Sequence, residues 1–351
     1  MRRCAIAICM MAALAWPAVL VAGQGRQDDV RLGLDAPSPL AGAREIARRT
    51  QTPTTFDRMQ RYVSGSGRQL AEQTVDIAQA RFDVFVPRKP PPPRGYALLV
   101  WIPPQDAYRA PMDWMPTLEA HGMIYVSPRE AGNEAIVFDR RMPLALHAAH
   151  GIAARYPVDP ERVFVGGFSG GSRTALRLAL AYPDVFRGAL LNAGSDAIGS
   201  TRLTAPPADL MRLFQTTVRL AYVTGAHDLP NRRADAASQR SMQEFCVQQV
   251  HRHSMGSRGH ATPDRRAFQK VLAWLDAPSP PPDHAALETC RKGLSERVHA
   301  DLAQVRGLLD GGDLVAAGMA LGDADQRWGG LAAPESVELA RRIATGLAET
   351  R

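Results

Sequence analysis

Three side chains that together can perform nucleophilic acyl chemistry occur in a fixed order along the chain. Ser169 stands in Gly167-Phe168-Ser169-Gly170-Gly171, Asp228 in "GAHDLPN" and His260 in "GSRGHATPD". A serine hydroxyl is a weak nucleophile that needs a base to take its proton and an acid to orient that base. The glycine spacing is what a sharp strand-to-helix turn requires, because glycines on either side of the serine let strand and helix pass without a clash between side chains. Such a turn lifts the serine hydroxyl clear of the sheet and aims the Gly170 N–H, at the positive end of a helix, toward an oxyanion formed on attack at a carbonyl.

Each partner has competitors. Asp196, in "NAGSDAIG" after the preceding strand, is the rival acid, and Asp228 could instead serve as a turn or cap residue. His251 and His253 are rival bases, but they sit inside a strand-like segment rather than in a loop at the sheet edge. His227 reads as a loop or rim residue. His147 and His150 stand at i, i+3 on a helix without a third ligand nearby in sequence, so no metal site is expected. Trp101, Trp114 and Phe168 either line an acyl pocket or belong to the core.

The surrounding sequence supplies elements suited to position these groups. "RFDVFVP" alternates like a strand, and "YALLVWIPP" is an almost continuous apolar run that suits burial on both faces. A helix containing Trp114 to His121, the strand "MIYVSP", a helix around Arg141 to Arg155 and the strand "RVFVGG" lead to the serine turn. Beyond it follow a helix from Gly170 to Ala181, the strands "GALLNAG" and "RLAYVTG", a helix around Ala234 to Gln249, "VHRHSM", and a helix from Pro263 to Leu275 with Thr262 as its cap. Strand and helix alternate throughout. The expectation is an α/β fold with a mostly parallel sheet covered by helices on both faces.

On "YPVDPERVFVGGFSGGSRTALRLALAYPDVFRGALLNAG", "VTGAHD" and "RGHATPD", the chain resembles the α/β-hydrolase superfamily, and within it secreted esterases of the polyhydroxybutyrate depolymerase and feruloyl esterase type. The resemblance spans about Arg81 to Leu275. It implies that Ser169, Asp228 and His260 act as nucleophile, acid and base, with no cofactor, on a small-molecule or polymer-attached ester. One departure stands out. Such esterases carry His-Gly after the strand equivalent to "LLVWI", where a backbone N–H completes the oxyanion hole, whereas this chain has Pro103-Pro104-Gln105. A proline has no N–H to give, so Gln105, or Asp106 after it, is the expected second donor beside Gly170. Two other readings stay open: a peptidase of the prolyl oligopeptidase kind, with no preceding propeller, and a noncatalytic envelope protein that binds a partner on this scaffold.

Composition and ends complete the picture. The chain has 351 residues, 45% hydrophobic and 22% charged, which fits a globular protein and argues against disorder. Residues 1–23 read as a signal peptide, with Arg2 and Arg3 before an apolar stretch and a small-residue exit, and this predicts a secreted or periplasmic protein. An uncleaved anchor is the alternative, and no later segment is long enough to span a membrane. Cys246 and Cys290 are the pair left after that segment, and in an oxidising compartment they are expected to form a disulfide. The net charge of +7 is scattered, with no basic face or nucleic-acid reading module. Residues 24–66 read as an arm, 67–276 as the catalytic domain, and 277–351 as a linker and small helical extension containing one helical hairpin.

Overall fold

The computed structural model describes residues 23–33, 36–278 and 280–349. The expected signal segment, apart from Gly23, lies outside the described residues. Eight strands form one sheet: β1 (Gly25–Val30), β2 (Phe82–Val86), β3 (Tyr96–Ile102), β4 (Met123–Pro128), β5 (Val158–Phe168), β6 (Gly188–Asn192), β7 (Arg219–Thr224) and β8 (Val250–Ser254). Their order across the sheet is β1-β2-β4-β3-β5-β6-β7-β8. Strands β3 to β8 pair in parallel, whereas β2 runs antiparallel to both of its neighbours. Every residue of β3 is buried, which is why that segment reads as an unbroken apolar run.

Helices cover both faces. The N-terminal α1 (Ala43–Thr50) and α2 (Pro53–Ser66) precede β2, α3 (Met115–Ala120) follows β3, and α4 (Met142–Arg155) follows β4. After β5 come α5 (Gly170–Ala181), α6 (Ala208–Thr217), α7 (Leu229–Glu244) and α8 (Arg265–Asp276). One face packs α3 and α8 through Trp101, Trp114, Leu118, Phe268 and Leu272. Trp114 stacks on Phe268 with ring centres 4.1 Å apart and meets Trp101 edge-on at 5.0 Å. The other face packs α4, α5, α6 and α7 through residues such as Ile152, Leu176, Phe214 and Met242. The helix expected from Pro263 begins two residues later. Asp264, not Thr262, caps it by accepting from the Ala267 N–H, and the Pro263 carbonyl is taken by the Trp114 indole N–H at 2.9 Å.

The two ends of the chain are more integrated than an arm and an appendage. Residues Gly25 to Val30 add the edge strand of the sheet. Arg49 of α1 is 5% exposed and forks onto Asp184 at 2.6 and 2.9 Å, its guanidinium lying 4.4 Å over the Tyr182 ring. Instead of one hairpin, the C-terminal segment forms α9 (His284–Asp310), α10 (Leu314–Trp328) and α11 (Glu335–Glu349). Asp283 and Asp313 cap the first two by accepting from Ala286 and Ala316 N–H groups. Leu287, Leu294, Val298, Leu302 and Val305 form a stripe along α9 at spacings of 7, 4, 4 and 3, and join the same core cluster as residues of α4 and α5. Thr54 donates to Asp325, so the N-terminal and C-terminal helices also bond to each other. Cys246, just past α7, is joined to Cys290 of α9 by a disulfide. Among the described residues no helix is long and apolar enough to cross a membrane.

Candidate active site

The turn from β5 into α5 places Ser169 at φ 57° and ψ −119°, a region a side chain rarely adopts. Neighbouring backbones hold it there. The Ser169 N–H donates to the Asn192 carbonyl at the end of β6, at 2.9 Å. A Cβ on Gly167 would stand 2.7 Å from the Ser172 nitrogen, and one on Gly171 would stand 2.8 Å from the Ile102 carbonyl carbon. The two glycines are therefore what lets α5 pass this close to β5 and β3.

Asp228 follows β7 directly and occupies the position before α7, yet its carboxylate makes no capping bond there. It accepts from His260 Nδ1 at 2.7 Å and from Asn231 Nδ2 at 3.0 Å on each oxygen. His260 Nε2 lies 3.0 Å from the Ser169 hydroxyl. Because the carboxylate can only accept, the imidazole carries its proton on Nδ1. That leaves Nε2 free to take the serine proton. Burial pushes the Asp228 pKa up, but the hydrogen bonds from His260 and Asn231 outweigh it and hold the carboxyl below its usual range. The acid thus stays charged wherever the imidazole can act as a base.

Supporting contacts come from several elements. Asn192 donates its side-chain amide to the Val223 carbonyl at 2.9 Å and to the Ala261 carbonyl at 3.2 Å, fixing the loop that carries His260. Phe168 packs against the His260 ring with centres 4.7 Å apart. Behind Asn231, Arg173 reaches its Oδ1 at 3.3 Å and binds Asp196 at 2.6 Å. Asp196 is therefore an ion-pair partner of an arginine on α5, and no hydrogen bond joins it to His260. The other candidates are elsewhere too: His251 stacks on Trp274 at 4.9 Å, and His227 is an exposed loop residue. His147 is buried between the Ser38 N–H and Gln73 while His150 is exposed, and no cluster suited to a metal occurs among the described residues. Trp101 and Trp114 are fully buried in the core.

On the other side of Ser169, the loop after β3 is zipped to residues 130–133. The Asn133 N–H donates to the Pro104 carbonyl at 2.9 Å, and the Glu130 N–H to the Asp106 carbonyl at 2.6 Å. Arg141 braces this pair of loops from below, donating to Ala131 at 2.9 Å, Pro103 at 3.0 Å and the Gly170 carbonyl at 3.4 Å. Burial without a carboxylate partner lowers its pKa to about 10. Gln105 is exposed at the tip, and neither its N–H nor that of Gly170 has an acceptor among the described residues.

A parallel sheet in this order with an antiparallel second strand, a strained serine after β5, an acid after β7 and a histidine after β8 decide the architecture. The chain has the α/β-hydrolase fold. No family model matches the sequence, and no curated protein does. Among solved structures it is similar to a thermostable esterase, at 14% identity and a TM-score of 0.40, over 61% of this chain and 58% of that one, so it spans less than two thirds of that esterase. It is similar to the S-formylglutathione hydrolase FrmB of Staphylococcus aureus, at 12% identity and 0.43, over 56% and 90%. It is also similar to the poly(3-hydroxybutyrate) depolymerase LpqC of Bordetella parapertussis, at 18% identity and 0.41, over 60% and 88%. Strand order and site geometry, rather than these overlaps, carry the fold. Arg173 and Arg141 had no signal in the sequence pattern, because each acts through partners distant along the chain, and Asn231 had none because only the first turn of α7 sets it beside Asp228.

Proposed function

We propose that this chain is an exported serine hydrolase that cleaves carboxylic esters through an acyl-enzyme on Ser169. The observation that carries the reading is the unbroken line of hydrogen bonds from Asp228 through His260 to Ser169 on a strained turn. In the first step, His260 Nε2 takes the hydroxyl proton as Ser169 Oγ attacks the ester carbonyl. The resulting oxyanion forms beside the Gly170 N–H, and collapse expels the alcohol, which receives the proton from His260. Water, deprotonated by the same nitrogen, then attacks the acyl-enzyme, and release of the acid restores Ser169. Asp228 stays ionised throughout and stabilises the imidazolium that forms between the steps.

The site lies open. The His260 side chain is 43% exposed, and residues 193–218, between β6 and β7, hold the single helix α6 and no long insertion that could close as a lid. An open site suits a bulky or polymer-attached ester. Export is supported by the basic and apolar N-terminal pattern and by a disulfide suited to an oxidising compartment. The test is labelling of the purified protein with a fluorophosphonate, followed by a screen of ester and peptide substrates. Labelling of the wild type and not of Ser169→Ala or His260→Ala is expected. Absence of labelling in folded wild type would overturn the reading, and turnover of peptides alone would replace esterase by peptidase.

A further inference from the structure

A single backbone donor leaves an oxyanion hole half built, and in this chain the segment after β3 begins with two prolines, which have no N–H. The structure sets a second side chain capable of donating beside Gly170. The exposed Asn133 carboxamide packs directly on the α-carbon of Gly170: a Cβ there would meet Oδ1 first and stand 2.9 Å from Cγ and 3.3 Å from Nδ2, so the donor reaches an oxyanion once the amide turns about its Cβ–Cγ bond. Any residue other than glycine after the nucleophile would displace it. The carboxamide has no hydrogen-bond partner among the described residues, although both its backbone and its loop are firmly held. Its N–H anchors to the Pro104 carbonyl, the Gly132 N–H donates to Asp106 Oδ1 at 3.1 Å, and Arg141 ties the Ala131, Pro103 and Gly170 carbonyls together.

We propose that the Asn133 side-chain amide is the second oxyanion donor, acting with the Gly170 N–H on the tetrahedral intermediate formed at Ser169. The inference rests on the esterase reading above and assigns a role that the His-Gly backbone donor has in the esterases this chain resembles. With neither amide atom bonded to protein, the carboxamide is free to present Nδ2 to a negative oxygen. It is a neutral donor whose backbone is held beside Gly170, and the negative charge that develops on the oxygen, absent from the ground state, is what draws Nδ2 to it. The loss on removing it should therefore appear in kcat and not in KM.

The experiment compares hydrolysis of p-nitrophenyl butyrate by wild type, Asn133→Ala, Asn133→Asp and Ser169→Ala, with circular dichroism and thermal melts as checks on folding. Asn133→Ala should lower kcat by about 10²- to 10³-fold with KM nearly unchanged, the size seen when one oxyanion donor is removed. Asn133→Asp keeps the shape but replaces the donor by a carboxylate, and it should lose at least as much. If wild type is active and both Asn133 variants stay within about threefold of it, the inference is overturned and the Gln105 N–H is left as the donor. If wild type is no faster than Ser169→Ala, the esterase reading itself fails and the inference goes with it. A variant that melts early is measured at a lower temperature, where both variants must show the kcat loss for the proposal to stand.

Discussion

The face that carries Ser169 and the helices that wrap the ends of the chain are held by different chemistry. Around Ser169 the contacts are short and polar, made by side chains from the loops and helix starts beyond the carboxyl ends of the strands: His260 to Asp228, Asn231 to Asp228, Arg141 to three carbonyls. The helices α9 to α11 are held mainly by an apolar stripe and one disulfide, with helix caps and polar side-chain bonds such as Thr54 to Asp325 and Arg291 to Gln215 added at their edges. The difference predicts that the two regions separate under mutation. Changes at the first should alter turnover with little loss of stability, and changes at the second should do the reverse.

The largest expected effect is that of Ser169→Ala. Loss of the nucleophile should lower turnover by more than about 10⁴-fold, a barrier increase above about 5 kcal/mol, while the melting curve stays close to that of wild type. Ester turnover and a thermal melt on the same sample check both halves. Residual turnover near the wild-type rate would break the comparison at its centre. Next in size is Cys290→Ser. The bond closes a loop with a sequence separation of 44, and chain entropy alone gives about 4 kcal/mol for a loop of that length. Urea unfolding should show a loss of about 2 to 4 kcal/mol, with kcat unchanged in the folded protein. A fall in kcat without a stability loss would mean that α9 reaches the site by a route the structure does not contain.

Asn231→Ala sharpens the first region further. Its amide holds both oxygens of Asp228, so removing it frees the acid to turn away from His260. A loss of about 10-fold to 10²-fold in kcat is expected, since small misplacements of a catalytic group have effects of this order. Steady-state kinetics should show KM unmoved. An equal fall in the melting temperature would place Asn231 among the structural residues instead.

Legibility in the sequence follows the same division. The serine turn and the buried strands were readable because glycine spacing and apolar runs are local signals. The order Ser169, Asp228, His260 pointed to the three side chains that meet. Arg173, Arg141 and Asn133 were not readable, since each is an ordinary polar residue whose meaning depends on a partner distant in the chain, and Asn231 was not, since its meaning depends on where α7 starts. The start of α7 shows the limit well. The pattern suggested a helix from Ala234, but Pro230 suits the first turn and the helix begins at Leu229, which is what sets Asn231 beside Asp228. β1 was missed because "GRQDDV" is polar and lies at an edge with only one neighbour, where alternation is weak. The C-terminal helices could be read as helices, but not as part of the main core, because a stripe names a buried face without naming what covers it.

The smallest predicted effect concerns the N-terminal segment and pH. His147 Nδ1 accepts from the Ser38 N–H at 3.1 Å, which requires the neutral ring with its proton on Nε2. The structure sets Gln73 Nε2 3.1 Å from His147 Nε2, and because that ring nitrogen carries the proton, the Gln73 amide is assigned the opposite way round, with its otherwise unpartnered Oε1 accepting. Burial, with a smaller push from His150, lowers the His147 pKa to about 4. A histidine with a depressed folded pKa binds more protons when unfolded, so its contribution to stability is whole above about pH 6.5 and is lost as the pH falls toward 4. Between pH 7 and pH 5.5 the loss should be about 1 kcal/mol, read by urea unfolding at the two pH values. His147→Gln should be less stable at both and should show a smaller difference between them. If the wild-type difference persists in full, another group titrates there, and the hold of the N-terminal segment on α4 is independent of the charge on His147.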